Sequence, residues 1–153
     1  MKKSISFRWM TPNDNDTILN FAGNLNREVT RQRLKKYLDE MWQTGFKCAG
    51  AFLSDGTCAG ICGVWIGTKF YCGRYLELDD FIIDDRFRSD GIGHEFMTWL
   101  EDYAREQGCN TIMLDAFATN TRSHKFYYRE GYEIKGYHFT RVISDYKGND
   151  DLT

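Results

Sequence analysis

Residues 76–100, LELDDFIIDDRFRSDGIGHEFMTWL, constrain the fold of this chain more than any other stretch. They read as a strand, a basic glycine turn and a helix, in that order. Apolar side chains from Leu76 to Ile83 are interrupted by Glu77, Asp79 and Asp80. Arg88-Ser89-Asp90-Gly91-Ile92-Gly93 follows, and then Ile92, Phe96, Leu100, Tyr103 and Ala104 fall near one helical face. A glycine turn opening a helix presents unpaired backbone N–H groups and the positive end of the helix dipole. Such a place holds anions, most naturally a phosphate or pyrophosphate. Arg86 and Arg88 add positive charge beside it. The chain is therefore expected to be built around a phosphate-bearing ligand, with acidic side chains on the strand that leads into its site.

Length and composition bound the rest. At 153 residues the chain is expected to form one domain over 1–145, followed by a polar, frayed tail over 146–153. A hydrophobic content of 42% with a single proline belongs to a folded protein rather than a disordered one. No apolar run approaches the roughly 20 residues of a membrane-spanning helix. The start, MKKSISFRWM, lacks the apolar segment of a signal peptide, so a cytoplasmic protein is expected. The five cysteines form no CxxC pair and are expected to be reduced thiols, with no metal site among them. A net charge of −2 provides no electrostatic footprint for nucleic acid.

The periodicities predict the order β-α-α-β-β-β-α-β-α-β-β. A first strand over 4–10 alternates Ile5, Phe7 and Trp9 against polar residues, and Thr11-Pro12 then opens a helix through Ile18, Leu19 and Ala22. A second helix is expected over 30–43. Strands over 46–53 and 57–66 are joined by Ser54-Asp55-Gly56, a hairpin signal. After the organising strand and helix come a short buried strand over 111–116, a helix over 121–129 and a final pair of strands over 132–137 and 139–144. The expected fold class is α/β (α+β): a mixed, mostly antiparallel sheet with a central parallel strand–helix–strand unit and helices on both faces.

The glycine turn departs from two better-known phosphate loops. Phe96 stands where a dinucleotide fingerprint has its third glycine, and the Gly-Lys-Ser/Thr of a P-loop is absent. A second signal lies on and after the next short helix: Asn120, Phe126-Tyr127 and Gly131-Tyr132. With both present, the chain resembles the GNAT superfamily of acyl-CoA-dependent N-acetyltransferases. Residues 88–93 match that family's pyrophosphate loop, and 120–132, NTRSHKFYYREGY, match its second signature. Ser123 stands where the family often has alanine. The ending FYYREGY followed by HFTR is similar to small-amine acetyltransferases, including the aminoalkylphosphonate acetylating enzymes.

The resemblance implies acetyl-CoA as cosubstrate, lying between the strands at 76–83 and 111–116. It places pantetheine on the backbone of Phe81, Ile82 and Ile83, with the Asn120 side chain steadying it. It places the diphosphate on Arg88, Ser89, Asp90, Gly91, Ile92, Gly93 and His94. Glu77 occupies the place where several members carry a catalytic glutamate, and Tyr127 matches the tyrosine that protonates the departing thiolate.

The chemistry stands beside this. Making an alkyl amine of pKa about 10.4 nucleophilic at pH 7 costs roughly 4–5 kcal/mol, so a group must take its proton. Glu77 and Asp80 are the candidates, directly or through water, with burial and neighbouring carboxylates raising their basicity. Strand alternation puts Glu77 and Asp79 on one face and Asp80 on the other, unless a bulge re-aims one of them. Glu77, Asp79, Asp80 and Asp115 together favour a small cationic amine as acceptor. A protein α-amine or lysine is the alternative acceptor, and a non-catalytic acyl-CoA-binding module is the alternative of another class. No membrane or nucleic-acid partner is expected; monomer and homodimer remain equally open.

Overall fold

The computed structural model describes residues 4–148. Five strands form one sheet in the order β1 (Ile5–Trp9), β2 (Lys47–Leu53), β3 (Cys58–Lys69), β4 (Gly73–Ile83) and β5 (Thr111–Leu114). Neighbours are antiparallel except β4 and β5, which are parallel. The helices are α1 (Asn15–Leu25), α2 (Arg31–Gln43), α3 (Ile92–Glu106) and α4 (Thr121–Arg129). The expected fold class is the one observed. No helix of the described residues is long and apolar enough to cross a membrane.

The period-two pattern of the strands divides the apolar residues between two layers. On one face Ile5, Phe7 and Trp9 of β1 and Leu76 and Leu78 of β4 pack with Phe96, Met97 and Leu100 of α3. Phe126 and Tyr127 of α4 join this layer. Phe96 is fully buried and stacks on Phe7 with ring centroids 5.1 Å apart, while Trp9 lies 5.1 Å from Trp99. Truncating a buried phenylalanine of this kind costs about 3–5 kcal/mol. On the other face Ile18 and Leu19 of α1 and Leu38 of α2 cover Cys48 and Ile61. Thr11 and Asp14 form a reciprocal capping box on the 3-10 turn Pro12–Asp14 that leads into α1, and at the start of α2 the Thr30 hydroxyl accepts from the Arg33 amide at 3.2 Å.

The final pair of strands does not form. Residues 133–146 are exposed throughout and carry no ladder, so β5 is an edge strand among the described residues. The parallel unit therefore lies at one end of the sheet. The segment is fastened at both of its ends. Tyr132 donates to Met97 Sδ on the α3 face at 3.2 Å. On the α2 face the Tyr37 hydroxyl donates to the Tyr146 carbonyl at 2.7 Å and Arg33 Nε to the Gly148 carbonyl at 2.6 Å. Between these anchors His138 meets Asp115, the residue just past β5, at 3.1 Å. Residues 146–148 of the expected frayed tail are thus held on α2, and 149–153 lie outside the described residues.

Candidate active site

The centre of the site is an irregularity in β4. Ile61 pairs with Ile82 and Gly63 with Asp79, so the register advances two residues along β3 but three along β4. The extra residue makes a β-bulge, and Asp80 sits in it with φ 52°, a left-handed conformation that costs a non-glycine residue about 1–2 kcal/mol. The bulge inverts the alternation. Leu76 and Leu78 face α3, and beyond the bulge so do Phe81 and Ile83, while Ile82 faces the other way. Plain alternation would have sent Asp80 to the α3 face. The bulge instead turns it to the same side as Asp79, under α1 and α2.

Asp79 and Asp80 there line a cavity of about 230 Å³. Its walls are Leu19 and Ala22 of α1 and Leu34, Leu38 and Met41 of α2; Cys48 and Ile61 form its floor. Asp79 stands exposed at the mouth, where Trp65 Nε1 donates to its carboxylate at 3.4 Å. Asp80 lies deeper, and burial, followed by repulsion from Asp79, pushes its carboxyl up to about 6. Glu77 does not line this cavity. It sits half-buried on β4, opposite Trp65 on one side and Met113 on the other. Burial first, then Asp115, raises its carboxyl, and Lys69 opposes the rise.

Beside the bulge the sheet forks. The parallel ladder runs from Tyr75 opposite Thr111 to Leu78 opposite Leu114 and stops, whereas β4 continues to Ile83. Phe81, Ile82 and Ile83 therefore have an edge toward β5 that no described strand covers. At the end of this edge the chain makes a 3-10 turn, Asp85–Phe87, and then takes positive φ at Ser89 (72°) and Gly91 (79°) before α3 begins. Gly91 is the N-cap and makes no side-chain capping bond. The first-turn amides of Ile92, Gly93 and His94 thus open a helix of 15 residues with no side-chain oxygen of the N-cap upon them.

The charged residues of this loop are already engaged. Arg86 pairs with Asp84 at 2.7 Å and Arg88 with Asp85 at 2.6 Å, both at the surface. His94 Nδ1 lies 2.9 Å from a Glu130 carboxylate oxygen. Asn120 caps α4, its amide oxygen accepting from the Ser123 backbone at 3.2 Å. Gly93 has a packing duty that the glycine pattern alone did not reveal: a Cβ there would stand 3.2 Å from the Phe126 ring. The glycine thus lets α4 close onto the start of α3.

Tyr127 approaches from the α3 and α4 side. It belongs to an aromatic chain in which Phe81 stacks on Phe126 at 5.8 Å, Phe126 meets Tyr127 at 5.4 Å, and Tyr127 meets Tyr132 at 5.8 Å. Burial, with a lesser contribution from Cys62, pushes its phenol up to about 12. Cys62 is the β3 residue opposite the bulge. Asp80 and Tyr127 therefore flank the bulge from opposite faces, with the open edge of β4 beside them. The cavity walls from α1 and α2 are what sequence motifs could not identify; only the helical spacing of Leu34, Leu38 and Met41 marked them as inward-facing.

Residues 18–132 match the Acetyltransferase (GNAT) family. Among curated relatives, the chain is 28% identical over 92 residues to an aminoalkylphosphonate N-acetyltransferase of Salmonella typhimurium, covering 60% of each chain. It is 30% identical over 69 residues to a glucosamine 6-phosphate N-acetyltransferase of Arabidopsis thaliana, covering 44% of this chain and 46% of that one. The matched regions thus span less than two thirds of these relatives. Solved structures share the fold. The Arabidopsis thaliana glucosamine-6-phosphate N-acetyltransferase superposes with a TM-score of 0.71 at 21% identity, over 93% of this chain and 100% of that one. An aminoglycoside N-acetyltransferase in complex with CoA superposes with a TM-score of 0.80 at 17% identity, over 94% and 98%.

Proposed function

Since the chain belongs to the acetyltransferase (GNAT) family, we propose that it transfers the acetyl group of acetyl-CoA by direct attack of a small-molecule primary amine. The observation that carries this reading is the placement of Asp80 and Tyr127 on opposite faces of the bulge, beside the uncovered edge of β4. The site suits the cosubstrate: the open backbone at Phe81–Ile83 suits an amide-bearing arm, and the start of α3 suits a diphosphate. Acetyl-CoA supplies an activated acyl group and a thiol leaving group. Amides of Gly91, Ile92, Gly93 and His94 hold the diphosphate, with Arg88 and Ser89 beside it and Asp90 in the turn. Asn120 orients the arm from the start of α4.

Asp80 holds the incoming ammonium and receives its proton. With its carboxyl raised to about 6, the transfer from an amine of about 10.4 is uphill by roughly 6 kcal/mol, against about 9 kcal/mol for an unperturbed carboxylate. Glu77 stands three positions before Asp80 on the same strand, roughly 10 Å along an extended chain, and takes the proton outward through water. Backbone N–H groups at the bulge polarise the thioester carbonyl. Tyr127 gives its proton to the departing sulfur. Its burial keeps the phenol neutral until then, and the same burial raises the basicity of a thiolate next to it.

The two curated relatives are named for an aminoalkylphosphonate and for glucosamine 6-phosphate, compounds that share a primary amine on a small molecule. That common feature supports the acceptor class. The test is release of free CoA thiol from acetyl-CoA with a panel of small amines and peptides, each product analysed for an added acetyl group. Amine-dependent release with small amines is expected. Release with peptides alone would move the acceptor to protein, and acetyl-CoA binding without any turnover would make the chain a binding module.

A further inference from the structure

The cavity under α1 and α2 says what kind of amine this site takes. We propose that the acceptor is a primary amine with an apolar body, such as an arylalkylamine or a medium-chain alkylamine, seated between α1 and α2 with its ammonium on Asp80. This rests on the acetyl-transfer reading above and names its substrate class.

Leu19, Leu34, Leu38, Met41 and Phe46 give the cavity its apolar walls. Its carboxylates are Asp79 and Asp80, adjacent on β4, and no lysine, arginine or histidine is among its lining residues. Among the described residues neither carboxylate has a cationic partner. A buried carboxylate is retained where something compensates its charge, and an ammonium entering from the mouth would do so. Asp80 is held in its left-handed conformation by the bulge, and backbone strain of this kind gathers at ligand sites.

The same lining excludes other amines. A phosphonate or phosphate on the acceptor would meet two carboxylates and no cation. A polyamine would carry its second ammonium into a space whose only carboxylates are Asp79 and Asp80 and whose other polar lining residues, Asn26, Tyr37 and Tyr146, are neutral side chains. An aminoglycoside would leave many hydroxyls without partners. Size agrees: an engineered apolar cavity of about 150 Å³ holds benzene, so 230 Å³ accommodates a ring with a short linker or about six carbons in a chain. Tyr146, held by Tyr37, also lines the cavity and brings the C-terminal segment against it.

The experiment compares kcat/KM at saturating acetyl-CoA for propylamine through hexylamine, 2-phenylethylamine, spermidine, 2-aminoethylphosphonate and glucosamine 6-phosphate. Each methylene should raise kcat/KM about fourfold as it leaves water for the cavity. 2-Phenylethylamine should exceed spermidine and the phosphonate by about a hundredfold, since those place an uncompensated charge in the same space. A flat alkyl series, or preference for spermidine, the phosphonate or the phosphorylated sugar, overturns this inference and leaves acetyl transfer standing. No product with any amine overturns both. Ala22→Leu, which thickens the wall, should lower kcat/KM for hexylamine about tenfold more than for propylamine, and Leu34→Ala should move the optimum to a longer chain. Equal effects on short and long amines in both variants would place the acceptor's body elsewhere.

Discussion

Asp80→Asn should make the protein more stable and nearly inactive at the same time. Burial, with Asp79 beside it, lifts the Asp80 carboxyl from 3.8 to about 6. A carboxyl raised on folding binds its proton more tightly in the folded chain than in the unfolded one. The folded state therefore holds more protons between about pH 4 and 6, and stability falls as pH rises through that window. Above it the ionised carboxylate costs about two pKa units, or roughly 3 kcal/mol. Asparagine has the same shape, tolerates left-handed backbone and carries no charge, so the substitution removes this cost without new strain. For a chain of this length the gain corresponds to a melting temperature about 6–12 °C higher at pH 8. At pH 4, where Asp80 is protonated in the folded wild type, the gain should shrink below about 1 kcal/mol. Thermal melts of both ligand-free proteins at the two pH values measure it, and kcat should fall by about 10²–10⁴-fold. Equal shifts at both pH values, or no stabilisation at pH 8, would refute the buried, unpaired carboxylate on which the acceptor site depends.

Other substitutions separate the remaining roles. Tyr127→Phe should lower kcat by roughly ten- to a thousandfold while acetyl-CoA affinity holds; unchanged turnover with chemistry rate-limiting would leave the tyrosine a packing residue. Gly91→Val forces a β-branched residue to φ 79° although no atom lies within 4 Å of its Cβ, so its effect comes through the loop backbone. Calorimetry should show CoA binding weakened about tenfold or more, and wild-type affinity would remove the diphosphate from this loop. Glu77→Gln should cost less than Asp80→Asn, within about tenfold in kcat, because Glu77 stands outside the cavity under α1 and α2; a larger loss than that of Asp80→Asn would reverse their proposed roles.

The features that repeat in sequence were legible there, and those set by distant contacts were not. The helix at 121–129 was bounded to the residue because Asn120 caps it and Gly131 follows it. The glycine turn between a strand and a helix was legible through local chemistry alone, and Gly91 takes the positive φ expected of it. A bulge was open as a possibility but could not be placed, since Asp79-Asp80 in a strand carries no mark of which residue is extra; only the cross-strand register with β3 decides it. Alternation therefore put Asp80 on the face opposite Asp79, and the bulge brings both to one side. Residues 133–144 failed in the opposite direction. Ile134, Tyr137, Phe139, Val142 and Ile143 supply strand-forming side chains, yet all are exposed. Propensity for a strand is a propensity for a surface to pack on, and between the anchors at Tyr132 and Tyr146 these side chains have none. Gly93, expected from the sequence to admit a ligand, is seen in the structure to serve the contact between α3 and Phe126.

A crystal structure with CoA bound tests the central claim most directly, because the claim is a position. The pantetheine arm should lie in the fork between β4 and β5, hydrogen-bonded to the backbone of Phe81–Ile83. The diphosphate should rest on the amides that open α3, from Gly91 to His94, and the sulfur should lie between Tyr127 and the bulge at Asp80. CoA bound away from this fork, or in it with the diphosphate remote from α3, would contradict the account.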